Sequence, residues 1–214
     1  MAEDDEARQR RGGPDAYDVG RLLALSDGVF AIAMTLLVLT IPVPQLSQPV
    51  SDADLQGALR NVQGPLYSFA LSFVLVGVYW MAHRRLLRGV VRTDGLLVWL
   101  NLFMLLFVCL VPFTSGVLSQ YGNLATGVVV YAANLGLLGV LSLALRLQSW
   151  RGHLLSVPLS QSERRVAVID SLLGVAVFAA SIPIALWSPK VATYSWLALL
   201  LVGVRVRLRR RRGR

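Results

Sequence analysis

The sequence predicts an all-α membrane protein with six transmembrane helices, and three observations support this prediction. Of the 214 residues, 55% are hydrophobic and 15% are charged, and the mean hydropathy is +0.60. Several apolar stretches approach the length of about 20 residues that a transmembrane helix needs. The arginines cluster in short segments beside these stretches, whereas a soluble domain would carry more charge and shorter apolar runs. The spans are predicted over about 20–41, 65–82, 94–118, 124–147, 166–187 and 191–204.

The first span differs from a simple anchor because it carries a carboxylate. Ser26 and Asp27 lie about one turn inside its start, and residues 28–41 are uncharged. A charge near membrane depth costs about 2.5–3.5 kcal/mol on insertion scales, so Asp27 is expected to have a partner. The favoured interpretation is a structural pair, either with Arg21 or with the basic cluster 83–85.

Prolines and small residues mark the later elements. Pro42 and Pro44 end the first span, and a short helix is predicted to begin at Ser51 or Asp52. Pro112 predicts a kink in the third span. The fourth span carries a ladder of small residues, which lets helix backbones approach closely in lipid. The ladder consists of Ala132, Ala133, Gly136 and Gly139.

The distribution of charge predicts the topology. Nearly all arginines lie in the leader, in residues 83–92, in residues 146–165 and in the C-terminal tail, and the other connections hold only Arg60 and Lys190. The positive-inside rule then places both termini in the cytoplasm. The predicted organisation is a disordered cytoplasmic leader over 1–19, a six-helix membrane domain over 20–207 and a basic tail over 208–214. It suits a multi-pass membrane protein, and the preference for arginine over lysine suggests a bacterial inner or plasma membrane.

The basic charge is interpreted as an orientation signal and not as a nucleic-acid surface, because it flanks apolar spans. The tail is favoured as a topology anchor, with anionic lipid as its alternative partner.

Helical geometry divides the first span into different faces. At about 100° per residue, Ser26 and Asp27 lie about 120–140° from Ile32. One stripe is apolar with a single hydroxyl, and it is formed by Gly28, Ile32, Thr35, Leu36 and Leu39. Taken alone, such a stripe is typical of a face that packs or contacts lipid.

The first span resembles the signature of the transmembrane protein 175 family, which comprises endolysosomal potassium channels and bacterial homologues. The signature reads Arg, three residues, Phe, Ser, Asp; this chain has Arg21 and Ser26-Asp27, with Leu25 in place of the Phe. Further similarities extend the resemblance over about residues 20–115. They are Tyr79-Trp80-x-x-His83, Asn101 and Pro112-Phe113.

The resemblance implies a potassium-permeable cation channel in which four six-helix chains surround a pore lined by the first helix. Carried over by position, Ile32 is the constriction, Leu36 and Leu39 lie toward the outside, and Thr35 lies beside Ile32. An apolar ring of this kind gates by excluding water. Potassium is the permeant ion, and neither a cofactor nor a metal site nor a catalytic residue is implied.

The charged part of the signature is implied to form a network on the cytoplasmic side. Its members would be Arg21, Ser26, Asp27, Trp80 and His83. The alternative function is a secondary cation or proton-coupled transporter that uses Asp27, although the chain lacks the inverted repeats typical of such proteins. An intramembrane enzyme would need a nucleophile or metal set within the spans, and the sequence offers neither.

Overall fold

The computed structural model describes residues 19–46, 48–49 and 51–196, and its regular secondary structure there is helical. The elements are α1 (Val19–Leu36) with a following 3-10 turn (Leu37–Thr40), α2 (Asp52–Asn61), α3 (Gln63–Arg88), α4 (Gly95–Tyr121), α5 (Ala125–Arg151) and α6 (Gln161–Trp187). A further helical stretch covers residues 189–196.

The predicted class, an all-α membrane fold, is confirmed. Five helices of the described part are long and apolar enough to cross a membrane: α1 with its 3-10 turn, α3, α4, α5 and α6. The predicted sixth span, 191–204, begins inside the helical stretch 189–196, and its remainder lies outside the described residues. Residues 1–18 and the tail 208–214 also lie outside them.

The helices are longer than the predicted spans, mainly at their basic ends. α3 continues to Arg88 instead of residue 82, and α5 continues to Arg151 instead of residue 147. α6 begins at Gln161, five residues before the predicted start. Hydropathy marks only the part of a helix that crosses hydrocarbon, whereas the backbone hydrogen bonds continue into the polar interface.

Polar caps start three of the helices. Ser51 and Asp54 form a capping box at α2, which confirms the predicted short helix, and Ser160 and Glu163 form another at α6. The Asp94 side chain accepts a hydrogen bond from the Leu97 amide at 2.7 Å and so caps α4.

Helix α4 forms side-chain hydrogen bonds to three neighbouring helices. Its side-chain bonds join Asn101 to Ser26 of α1 (3.2 Å), Ser115 to Ser72 of α3 (2.9 Å) and Thr114 to Asn134 of α5 (3.2 Å). Each such bond contributes about 0.6 kcal/mol on average in a membrane bundle, and some contribute more. These bonds fix how the neighbouring helices are rotated about their axes.

Pro112 lies inside α4 and removes one backbone donor from it. In the preceding turn, the amide of Asn134 donates to the Phe107 carbonyl at 3.3 Å. The carbonyl that loses its helical partner to Pro112 is that of Val108, so this bond lies one residue before the interruption and ties α4 to α5 beside it.

The small-residue ladder of α5 brings α6 close, as predicted. A methyl group added at Gly139 would lie 2.8 Å from Val175 Cγ2, and one added at Gly136 would lie 3.6 Å from Phe178 Cβ. The helical stretch 189–196 also packs into the bundle, because Trp196 is fully buried and its ring lies 5.2 Å from that of Tyr131.

Candidate functional site

The first helix, α1, has one buried and one exposed face. The buried face faces α3 and α4 and consists of Leu22, Ser26, Phe30, Ala33 and Leu37. The exposed face contains the predicted stripe: Gly28, Ile32, Thr35, Leu36 and Leu39. Ile32 is 61% exposed and Leu39 is 75% exposed, whereas Phe30 is 1% exposed. The division of faces expected from helical geometry is therefore present in the folded chain.

Thr35 is the hydroxyl of the exposed stripe. Its hydroxyl donates to the Ile32 carbonyl at 2.8 Å, one turn back in the same helix. The donor is therefore satisfied locally, while the hydroxyl oxygen still has acceptor capacity on the exposed face.

Asp27 lies off this stripe, half-buried against α3. The indole N–H of Trp80 donates to Asp27 Oδ1 at 2.7 Å. The guanidinium carbon of Arg84 lies 5.2 Å from the centroid of the same indole ring. A charge-assisted hydrogen bond and a cation–π contact thus link the carboxylate, the indole and the arginine in series.

His83 is buried beside this series. Its ring centroid lies 5.7 Å from that of Phe30, and neither ring nitrogen has a hydrogen-bond partner among the described residues.

The other two residues of the predicted network are placed differently. Ser26 is fully buried and bonds to Asn101 of α4, as well as donating to the Leu22 carbonyl at 2.8 Å. Arg21 is exposed at the start of α1. Of the predicted set, the structure therefore joins Asp27 to Trp80 by a hydrogen bond, and His83 lies one turn beyond Trp80 on α3.

Sequence reasoning missed three contacts of this site. The sequence marks Asn101 only as a position of family similarity and does not predict its bond to Ser26. The ring contact of Phe30 with His83 had no signal in the sequence. The contact of Arg84 with Trp80 did have one, because residues four apart on a helix share a face.

These features define a polytopic α-helical membrane protein whose first span is anchored by polar contacts to α3 and α4 and leaves an apolar stripe open. The sequence model of the family described as "Endosomal/lysosomal potassium channel TMEM175" matches residues 21–112. The resemblance to the TMEM175 family, which is a family of ion channels and not of enzymes, is therefore confirmed.

Individual relatives agree with this result. A potassium channel of Streptomyces collinus is 42% identical over 103 residues, which cover 48% of this chain and 48% of the relative. A potassium channel of Chamaesiphon minutus is 40% identical over 108 residues, which cover 50% of this chain and 53% of the relative. The chain thus spans about half the length of these two relatives.

The fold is matched more widely than the sequence. The crystal structure of a lysosomal potassium-selective channel TMEM175 homolog from Chamaesiphon minutus superposes with a TM-score of 0.76 at 26% identity. The match covers 87% of this chain and 97% of that one. The likeness therefore extends beyond the first three spans.

Proposed function

We propose that this chain is one subunit of a potassium-permeable channel whose pore is lined by α1. The observation that carries the proposal is the exposed stripe Ile32, Leu36 and Leu39 on a helix whose opposite face is buried. The relatives named above are described as potassium channels, and their similarity includes the helix that carries this stripe.

Four copies are the proposed assembly. One chain offers one copy of the stripe, which cannot surround a pore, whereas cyclic closure of identical subunits can. In the tetramer the stripe of each α1 faces the symmetry axis. The open side of α1 in the single chain leaves space for this arrangement.

The proposed orientation has six spans with both termini on the cytoplasmic side of a bacterial inner or plasma membrane. This orientation is supported by two basic segments that meet at one end of the bundle. The Val91 amide donates to the Leu154 carbonyl at 2.8 Å, and the Ser156 amide donates to the Gly89 carbonyl at 3.0 Å. The segments 84–92 and 146–165 therefore lie on the same side, as the positive-inside rule requires of a cytoplasmic face.

The constriction is proposed to lie at Ile32. An apolar ring holds no water when it is narrow and therefore excludes hydrated ions, and a small widening admits ions that keep part of their hydration shell. Potassium then passes in preference to sodium because it loses water at lower cost. The Thr35 oxygen, one turn away, compensates part of the lost hydration.

Asp27 is proposed to position α1 and not to bind the permeant ion. Its carboxylate already accepts the Trp80 N–H and lies away from the exposed stripe. The rival function, a transporter that uses Asp27 as its cation or proton site, requires this carboxylate to exchange partners during each cycle. Single-channel currents in reconstituted bilayers support the channel, whereas saturable flux without unitary currents supports the transporter.

We expect the purified protein to be a homotetramer. The chain has a mass of 23.4 kDa, so the expected assembly has four times that mass. Native mass spectrometry from detergent measures it directly. A population of monomers and dimers alone would contradict the proposed pore.

We expect Trp80→Phe to weaken the tetramer while leaving ion selectivity unchanged. The phenyl ring still fills space beneath Arg84 but cannot donate to Asp27, and a hydrogen bond to a charged group contributes about 1.5–3 kcal/mol. Thermal stability and tetramer fraction are measured beside reversal potentials. Trp99→Phe, at an exposed position of α4, is the matched control.

Asp27→Asn is expected to act in the same direction, because the amide is a weaker acceptor for the Trp80 N–H. A well-assembled Asp27→Asn protein with altered selectivity or abolished transport would favour the transporter instead.

A further inference from the structure

The exposed face of α1 continues from the apolar stripe to the first turn of the helix. Leu25 is 48% exposed and lies seven residues before Ile32, and Arg21 is exposed and lies eleven residues before it. At about 100° per residue, these separations place Leu25 and Arg21 only about 20° to either side of Ile32. Arg21 belongs to the helix, which begins at Val19. The face that is proposed to line the pore therefore ends in a guanidinium group.

The carboxylate of the same helix lies on another face. Asp27 follows Arg21 by six residues, which places the two side chains about 120° apart around the helix and about 9 Å apart along it. Ion pairs within one helix form between residues three or four apart. Asp27 instead accepts the indole N–H of Trp80 on α3. The fold thus leaves Arg21 on the exposed face and away from Asp27.

We infer that four copies of Arg21 form a ring of positive charge at the cytoplasmic entrance of the pore, where they limit the entry of potassium from that side. The inference rests on the proposed tetramer, because cyclic symmetry places the four copies of each residue at one depth. The ring lies about 16 Å along the helix from the Ile32 constriction. This distance exceeds the Debye length of about 8 Å at physiological salt, so the ring acts on the entrance and not on the gate.

The salt dependence of the parent channel tests the ring without any substitution. A positive potential of only about one kT per unit charge lowers the local concentration of a monovalent cation about threefold. In symmetric potassium chloride at about 0.01 M, the Debye length is about 30 Å, whereas at about 1 M it is about 3 Å. We therefore expect the ratio of outward to inward current to be about threefold lower at the low concentration. Inside-out patches are used because they fix the orientation of the channel.

Arg21→Gln removes the charge from the ring. We expect it to raise the outward current about threefold at the low salt concentration and to have little effect at the high one. Arg88→Gln is the matched control, because Arg88 is an exposed arginine at the end of α3 and not on α1. It is expected to leave the ratio of the two currents as it is in the parent.

Reversible modification at position 21 separates charge from a structural effect. The single native cysteine, Cys109, is exposed, so Arg21→Cys is made together with Cys109→Ser. A methanethiosulfonate that carries trimethylammonium restores a positive charge, and one that carries sulfonate adds a negative charge. We expect the first reagent to lower the outward current, the second to raise it, and dithiothreitol to reverse both changes. A purely structural role of Arg21 would not follow the sign of the charge.

The outcomes distinguish the ring from the channel itself. If the parent gives no unitary currents, the proposed function fails together with the ring. Unitary currents whose ratio ignores both the salt concentration and the charge at position 21 would overturn the ring alone. The leader carries Asp15 and Asp18, which lie outside the described residues. If Arg21→Gln has an effect only after both are replaced by asparagine, these carboxylates cancel the ring in the parent, and the inference is also overturned.

Discussion

Ile32→Asn is expected to raise the basal conductance of the reconstituted channel and to reduce its discrimination between potassium and sodium. Ile32 works as a gate only if it is both bulky and unable to bind water. Asparagine has the same number of side-chain heavy atoms but offers water two donors and an acceptor. Four such side chains would keep the constriction hydrated, and a tenfold rise in conductance would correspond to a barrier lowered by about 1.4 kcal/mol.

The measurement is the reversal potential and current under mixed potassium and sodium in planar bilayers. Ile32→Ala is expected to raise conductance as well, through greater width instead of greater polarity. Ile41→Asn places the same side chain after the 3-10 turn and off the stripe, and is expected to have little effect. If Ile32→Asn conducts and selects as the parent does, Ile32 is not the gate and the pore must be assigned to another face.

The faces of α1 could be predicted from sequence because they depend only on the helical repeat. Asp27 had to lie off the stripe of Ile32 in any regular helix, and it does. Its partner could not be predicted in the same way. Trp80 is 53 residues away along the chain, and the rotation of α3 decides whether its indole or a basic side chain meets the carboxylate.

Hydropathy also could not predict that α4 bonds to three other helices. Its apolar character predicted a span, but not that Asn101, Thr114 and Ser115 would each meet a different helix. Such pairings depend on how the helices are arranged around one another. The close approach of α5 was predictable, because small residues at helical spacing act through their size alone.

The closure of a pore depends on contacts between chains. The periodicity of a single helix gives the stripe, and the fold of a single chain leaves it exposed. A pore lined by α1 needs both of these features. It also needs several stripes to surround one axis, which the proposed tetramer provides. For this reason the mass of the assembly and the Ile32 variants test separate steps of the proposal.

Gly139→Leu is expected to lower the stability of the described bundle strongly. Gly139 lies where α5 meets both α6 and α3. A methyl group there would already lie 2.8 Å from Val175 Cγ2 and 3.3 Å from the Tyr79 hydroxyl oxygen. That hydroxyl donates to the Leu135 carbonyl at 2.8 Å, so a larger side chain would also disturb this part-buried hydrogen bond.

The expected cost of Gly139→Leu is about 1–3 kcal/mol from overpacking, with more if the Tyr79 bond is lost. Thermal unfolding in detergent, followed by size-exclusion chromatography with fluorescence detection, measures it. Gly174→Leu is the matched control, because a methyl group added at Gly174 meets nothing within 4 Å. It reports the gain in helix propensity without the clash. Gly139→Ala is expected to lower the unfolding temperature less than Gly139→Leu does. Adding Val175→Ala should partly restore that temperature, since the two side chains compete for the same space. If Gly139→Leu unfolds no earlier than Gly174→Leu, then α5 and α6 do not approach at Gly139, and the small-residue ladder does not set their packing.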